Sequence, residues 1–274
     1  MAKKMIIDYK GIDIDALVAK AREINKQIEE NQFDSVTDYL GVVKYKELLE
    51  TLKANKFLTV KEFRKIFGIA FSEDMSGKLE TIIALSTSSL LNPRCLARMQ
   101  DGNSICAFCF AGATQNRYPE LRENLEQNYI VMNSVVIPAK YWPSVGNDML
   151  RFEAFGDGAT WKHDANCFEC ARANKGTACA LWSKNPDVTA EAIANGYKKP
   201  KNVIYIYSSP KVNTPAEIEE LLKKYPFIDK VFTVFEEEFI KANNIDINCG
   251  ARSCRGCKRC YKRATGKYVN EKIK

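Results

Sequence analysis

The sequence predicts an α/β protein: a parallel (βα)6 partial barrel with a helical N-terminal extension and a C-terminal cysteine knuckle. Three observations carry that prediction. Short β-branched or aromatic runs alternate with helical runs from about residue 80 onward. Before that point the periodicity is helical only. Ten cysteines fall into three tight groups, and none lies outside a group.

The elements follow in order. In IDIDALVAKAREINKQIEE the apolar Leu17, Val18, Ala21, Ile24 and Ile28 recur at helical spacing. A second amphipathic run carries Leu48, Leu49 and Leu52. A third, LTVKEFRKIFGI, opens on a capping box of Thr59 and Glu62, with Val60, Phe63, Ile66 and Phe67 on its apolar face. Three short helices suit a helix-turn-helix, but no base-reading pattern can be named, so packing is the plainer reading. Ser76-Gly77 is a turn signal and divides a helical region, 1–75, from the barrel, 76–248, and a basic cysteine-rich segment, 249–274. The expected strands are ETIIALST (80–87), RFEAF (151–155), ACALWS (178–183), VIYIYS (203–208), KVFTVF (230–235) and IDIN (245–248). Helical stretches at 118–133, 160–175, 187–196, 214–224 and 236–244 separate them. Such alternation requires crossovers and therefore a parallel sheet, in a partial barrel or, failing that, a doubly wound sheet.

Hydrophobic residues at 46% and charged residues at 27% are ordinary for a globular chain and exclude a disordered one. No stretch approaches the ~20 apolar residues of a membrane span. The start, MAKKMIIDYKGIDID, lacks the apolar run of a signal peptide, which leads to the expectation of a cytoplasmic protein. Disulfides are rare there, so clustered cysteines read as metal ligands. The net charge of +7 is uneven: residues 249–274 hold nine Lys or Arg against one Glu. That segment suits either nucleic acid phosphates or the negative charge of a thiolate-bound metal.

The cysteine groups are Cys95, Cys106 and Cys109; Cys167, Cys170 and Cys179; and Cys249, Cys254, Cys257 and Cys260. Short spacing makes loop closure around one centre cheap. The last group can hardly avoid a shared centre, either a zinc site closed by four thiolates or an iron–sulfur cluster. The first leaves one coordination position open, which is a catalytic signature. In the middle group His163 precedes Cys167 by four residues, so His163, Cys167, Cys170 and Cys179 could form a Cys3His zinc site. The first group follows the first expected strand in a long loop, and the second strand ends in Phe155-Gly156-Asp157-Gly158. With the third group after the last expected strand, all three should project from the carboxyl ends of the strands, where parallel folds keep their functional groups. Trp142, Trp161 and Trp182 read as packing residues. No Walker A loop, GxSxG elbow or HExxH motif occurs.

A three-cysteine loop after the first strand of a six-unit barrel, Phe108 before Cys109, and a glycine-acid element after the second strand resemble a radical S-adenosylmethionine enzyme. The resemblance implies that Cys95, Cys106 and Cys109 hold a [4Fe–4S] cluster whose open iron binds S-adenosylmethionine. One electron would then cleave the sulfonium to give a 5′-deoxyadenosyl radical. It also implies that Gly156 and Asp157 contact the methionyl amino group. The spacing departs from the usual C-x3-C-x2-C, with ten residues between the first two cysteines. Over residues 76–274 the segments SGKL, NPRC, CAFCF, RFEAFGD, CALWSK, KPKNVIYIYSSPK and NCGARSCRGCKRCYK resemble the phage family called gene product 88. That family implies a phage or prophage origin and no settled activity. The expectation is thus a phage-type iron–sulfur protein in the host cytoplasm, a radical S-adenosylmethionine-like enzyme on an unknown substrate. The alternative is a non-catalytic zinc-binding phage protein whose basic C-terminus contacts nucleic acid or a host protein.

Overall fold

Thr59 and Glu62 cap each other as the sequence requires. Thr59 Oγ1 accepts from the Glu62 N–H at 3.2 Å, and Glu62 Oε2 accepts from the Thr59 N–H at 2.8 Å. That box opens the third of three N-terminal helices, α1 (Ile14–Glu30), α2 (Val36–Asn55) and α3 (Val60–Phe67). The computed structural model describes residues 13–215 and 218–273. The head of the region 1–75, and Ala216 and Glu217 near the start of the expected helix at 214–224, lie outside the described residues. Phe63, Ile66 and Phe67 on α3 and Leu48 on α2 are buried in one cluster with Leu85, Leu150 and Phe152. Each such side chain contributes about 1.5–3 kcal/mol by leaving water. Helices α2 and α3 therefore belong to the outer layer that covers the sheet, while α1 buries Ile28 against Leu91 and Tyr129.

The sheet has six strands, all parallel: β1 (Ile83–Leu85), β2 (Met149–Phe152), β3 (Ala178–Ser183), β4 (Val203–Ser208), β5 (Lys230–Phe235) and β6 (Tyr268–Lys272). They lie side by side in chain order. That is the winding of a partial barrel; a doubly wound sheet would reverse its order at a switch point. Between β1 and β2 run α4 (Pro93–Gln100), α5 (Phe110–Arg117) and α6 (Pro119–Ser134). The later crossovers carry α7 (Trp161–Ala173), α8 (Pro186–Ala194) and α9 (Ile218–Lys224). The last connection holds α10 (Glu237–Asn243) and the single turn α11 (Cys254–Cys257). Side chains alternate across each strand. Leu150, Phe152, Leu181 and Tyr205 face the helices, whereas Met149, Ala180, Ile204 and Ile206 face the concave side.

One expected strand is not there. IDIN (245–248) forms no strand, and the sixth strand is Tyr268–Lys272. Asn248 and Cys249 instead lie beside β6, both donating their backbone N–H to the Asn270 carbonyl at 3.1 and 2.9 Å. The strand YVNEK hid itself because it is an edge strand. Only Val269 is buried, and edge strands carry charges that discourage further pairing. The correction moves the third cysteine group. It precedes the last strand, so it lies at the amino ends of the sheet, opposite the first group. Strand β2 also starts two residues earlier than expected, and Glu153 just beyond it has a positive φ of 54°. Among the described residues no helix is long and apolar enough to cross a membrane.

Candidate functional site

The first cysteine group is built on three short helical starts at the carboxyl ends of the strands. Asn92 caps α4, its Oδ1 accepting from the N–H groups of Arg94 and Cys95 at 3.0 and 3.4 Å. Pro93 supplies the pre-set φ of a first helical residue. Ser104 Oγ accepts from the Cys106 N–H at 3.1 Å. Cys109 is the N-cap of α5. The loop is anchored across the barrel mouth, where the Ile105 N–H donates to the Pro210 carbonyl at 2.9 Å. Burial pushes the Cys95 thiol well up, with Asp157 adding to the shift and Arg98 opposing it. Burial also raises Cys109, against the backbone N–H groups that favour its thiolate. A metal binding here would displace thiol protons.

The glycine-acid element sits against this group. Asp157 is buried, and its carboxylate accepts from Ser183 Oγ at 2.6 Å, the Gly158 N–H at 2.9 Å, the Lys184 N–H at 3.0 Å and Arg98 Nη1 at 3.3 Å. Burial lifts its pKa, and these partners oppose the lift. Asn92 Nδ2 donates to the Asp157 carbonyl at 2.8 Å. Asp157 thus fastens α4, and with it Cys95, to the ends of β2 and β3. At Gly156 a Cβ would stand 2.5 Å from the Thr87 carbonyl oxygen and 2.6 Å from Glu153 Oε2, so only glycine fits between the ends of β1 and β2.

Sequence reasoning missed Glu153, and its signal is structural. Its positive φ turns the carboxylate back into the wall, where it accepts from Thr87 Oγ1 at 3.0 Å and faces His163 Nε2 at 2.6 Å. His163 Nδ1 faces Asp164 Oδ1 at 2.8 Å, and Thr189 bonds the second Asp164 oxygen. Both histidine nitrogens therefore meet carboxylates. Burial alone would lower the His163 pKa, but the Cys167 sulfur, Glu153 and Asp164 outweigh it and hold the ring well up. Cys167 Sγ is 4.0 Å from Nε2. Cys167 and Cys170 on α7 and Cys179 on β3 are buried in the apolar layer between helices and sheet. Burial pushes Cys167 up to about 11.

The third group forms the knuckle and closes the amino-terminal mouth of the barrel. Arg255 on α11 donates to the Thr81 carbonyl at 2.7 Å, to Asn147 Oδ1 at 2.9 Å and to Asp148 Oδ1 at 2.6 Å, just before β1 and β2. Arg263 reaches the Lys201 and Val203 carbonyls at 2.7 and 2.8 Å and Asp229 at 3.1 Å, at the feet of β4 and β5. Tyr261 is buried on the concave face with Ile82, Met149 and Ile204. Much of the local positive charge is therefore spent on docking the segment, while Arg252, Lys262 and Lys267 remain exposed. Cys249, Cys254, Cys257 and Cys260 all line one hollow of about 30 Å³. Burial raises Cys249 and Cys254, and pushes Cys260 up to about 12.

A cavity of about 450 Å³ runs between the two ends. Cys95, Cys106 and Cys109 border it at one end, and Cys249, Cys254 and Cys260 at the other. Gly156, Asp157 and Glu153 also border it. Its volume falls in the range of small-molecule sites, roughly 300–1,000 Å³. Among the described residues no cysteine forms a disulfide. Among the described residues no three Cys, His, Asp or Glu side chains are arranged to hold one ion. The donor set of the first and last groups nonetheless fits a thiophilic centre in kind, since several thiols from each border a common space. The chain matches no protein-family model, no curated protein and no solved structure.

Proposed function

We propose that the chain is a phage-type iron–sulfur enzyme of the radical S-adenosylmethionine kind, working on a small molecule in the barrel cavity. One observation carries this reading: Cys95, Cys106 and Cys109 share a single 450 Å³ cavity with the Gly156-Asp157 element. Cys95, Cys106 and Cys109 would hold the cluster, and a cluster with an open iron supplies one-electron reduction of bound S-adenosylmethionine. The chain's own part is positional. Asp157 and Asn92 hold α4 in place, Gly156 lets the strand ends close up, and the loop anchored at Pro210 covers the mouth. Arg98 and Lys184 stand nearby as counter-charges for the thiolates. Cys249, Cys254, Cys257 and Cys260 would hold a second centre. The resemblance to the gene product 88 family supports a phage or prophage origin and work in the host cytoplasm.

A second reading is supported by the knuckle. Four thiols border one small hollow, and a set of four thiolates suits a structural zinc ion. A zinc-stapled, non-catalytic protein would then present Arg252, Lys262 and Lys267 to nucleic acid or a host protein. Anaerobic purification, metal and sulfide analysis, and an electron paramagnetic resonance spectrum after dithionite reduction separate the two. A brown protein with iron, sulfide and a reduced-cluster signal supports the enzyme. A colourless protein holding zinc alone rejects it in favour of the second reading.

A further inference from the structure

The concave face of the cavity holds an arginine that pairs with no carboxylate among the described residues. Arg151 comes from the middle of β2, and its guanidinium carbon lies 3.8 Å from the ring centroid of Trp182 on β3. The same ring meets Phe232 on β5, with centroids 4.9 Å apart. The stack fixes the guanidinium without neutralising it. No acceptor among the described residues takes a hydrogen bond from it, and its buried Nε is unpartnered. The Trp182 Nε1 and the Tyr261 hydroxyl beside it are buried and unpartnered as well. The neighbouring acids are all engaged elsewhere. Glu153 is held by Thr87 and His163, Asp157 by Ser183 and Arg98, and Glu271 by Lys78 at 2.7 Å. Arg151 is half-buried, and a cation partly withdrawn from water gains from a partner.

We infer that the cavity binds a small molecule bearing a carboxylate or phosphate, held by the Arg151 guanidinium, with an apolar or aromatic body against Phe108, Phe110, Phe155 and Phe232. The planar fork of arginine matches both oxyanions. These rings share the wall with the apolar Leu79, Met99, Ile105 and Val234, which suits a ligand with one charged end and an apolar body. The ligand's role as substrate rests on the enzyme reading above; its binding does not.

The test uses the full-length protein as purified and two probes, benzoate and phenyl phosphate, with uncharged benzyl alcohol as control. Isothermal titration should detect both anions and not the alcohol, and the tighter anion names the oxyanion. Arg151→Gln should weaken anion binding on the order of tenfold to a hundredfold, as expected for loss of charge-assisted hydrogen bonds. Arg151→Lys keeps the charge and the fold, and should weaken it on the order of tenfold through loss of the fork. Benzyl alcohol binding as tightly as benzoate, or neither anion binding, overturns the inference. So does unchanged affinity in both variants. Cys254 and Cys260 border the same cavity, so metal content is measured in parallel. Loss of metal in Arg151→Gln would make the guanidinium the counter-charge of the thiolates and would also overturn it. Absence of iron from the wild-type protein strikes the enzyme reading alone and leaves anion binding standing.

Discussion

Glu153 Oε1 stands 2.6 Å from Nε2 of His163, and that contact makes the histidine a brace between the end of β2 and the start of α7. Asp164 engages the other ring nitrogen at 2.8 Å, and the Cys167 sulfur stands 4.0 Å from the Nε2 that Glu153 holds. Glu153 and His163 are both buried. Breaking a buried, hydrogen-bonded charge pair costs about 3–5 kcal/mol. Glu153→Gln should lose stability on that scale in urea denaturation, whereas Cys167→Ser should lose less. A loss below about 1 kcal/mol in Glu153→Gln would mean that the brace contributes little beyond an ordinary neutral hydrogen bond.

Gly156 tests the close approach of the strand ends. Its Cβ would meet the Thr87 backbone oxygen at 2.5 Å, and a backbone atom cannot step aside as a side chain can. Gly156→Ala should cost about 1–3 kcal/mol by overpacking. Gly176→Ala serves as control, since nothing lies within 4 Å of its Cβ, and should stay within about 0.5 kcal/mol of wild type. Equal melting temperatures for the two variants would remove the steric argument.

Thiol labelling reads the burial of the cysteine groups directly. The thiolate is the reactive form, so a raised pKa slows alkylation at any pH below it. Burial pushes Cys167 up to about 11 and Cys170 well above its ordinary value, while Cys257 is exposed. With metal removed, iodoacetamide at pH 8 should modify Cys257 first. Cys167, Cys170 and Cys179 should react only after unfolding. Mass spectrometry showing early modification of Cys170 would place that thiol outside the core.

The fold was largely legible because it rests on local signals. Thr59 and Glu62 announced α3, and the β-branched runs at 178–183, 203–208 and 230–235 became β3, β4 and β5 with the same bounds. The site was less so. Tyr268–Lys272 carries edge charges and only one buried apolar residue, so its strand character was masked, and with it the end of the barrel at which the knuckle sits. Glu153 and Arg151 lie within the expected strand 151–155, where nothing in the residue order sets them apart. Their roles come from a positive φ in one case and from missing counter-charge in the other, and neither leaves a mark in residue order. Trp182 read as a packing residue, and it packs against the guanidinium.

Metal removal should act on the knuckle before it acts on the rest. Four thiols border one hollow of about 30 Å³, and the segment that carries them is strongly basic. Bound thiolates would supply negative charge against that self-repulsion, and metal affinity would become part of the folding free energy. Arg255 and Arg263 keep the segment's two ends docked to the feet of the strands. Loss of metal should therefore open the stretch between them, 256–262, to protease while α1, α2 and α3 stay protected. Cys257→Ser should reproduce the effect and lower metal content, because Cys257 lines the same hollow from its exposed side. Limited proteolysis with mass mapping and elemental analysis check both statements. Unchanged metal content together with unchanged cleavage in Cys257→Ser would show that the knuckle is held by its arginines and its packing around Tyr261, and that its cysteines are not ligands.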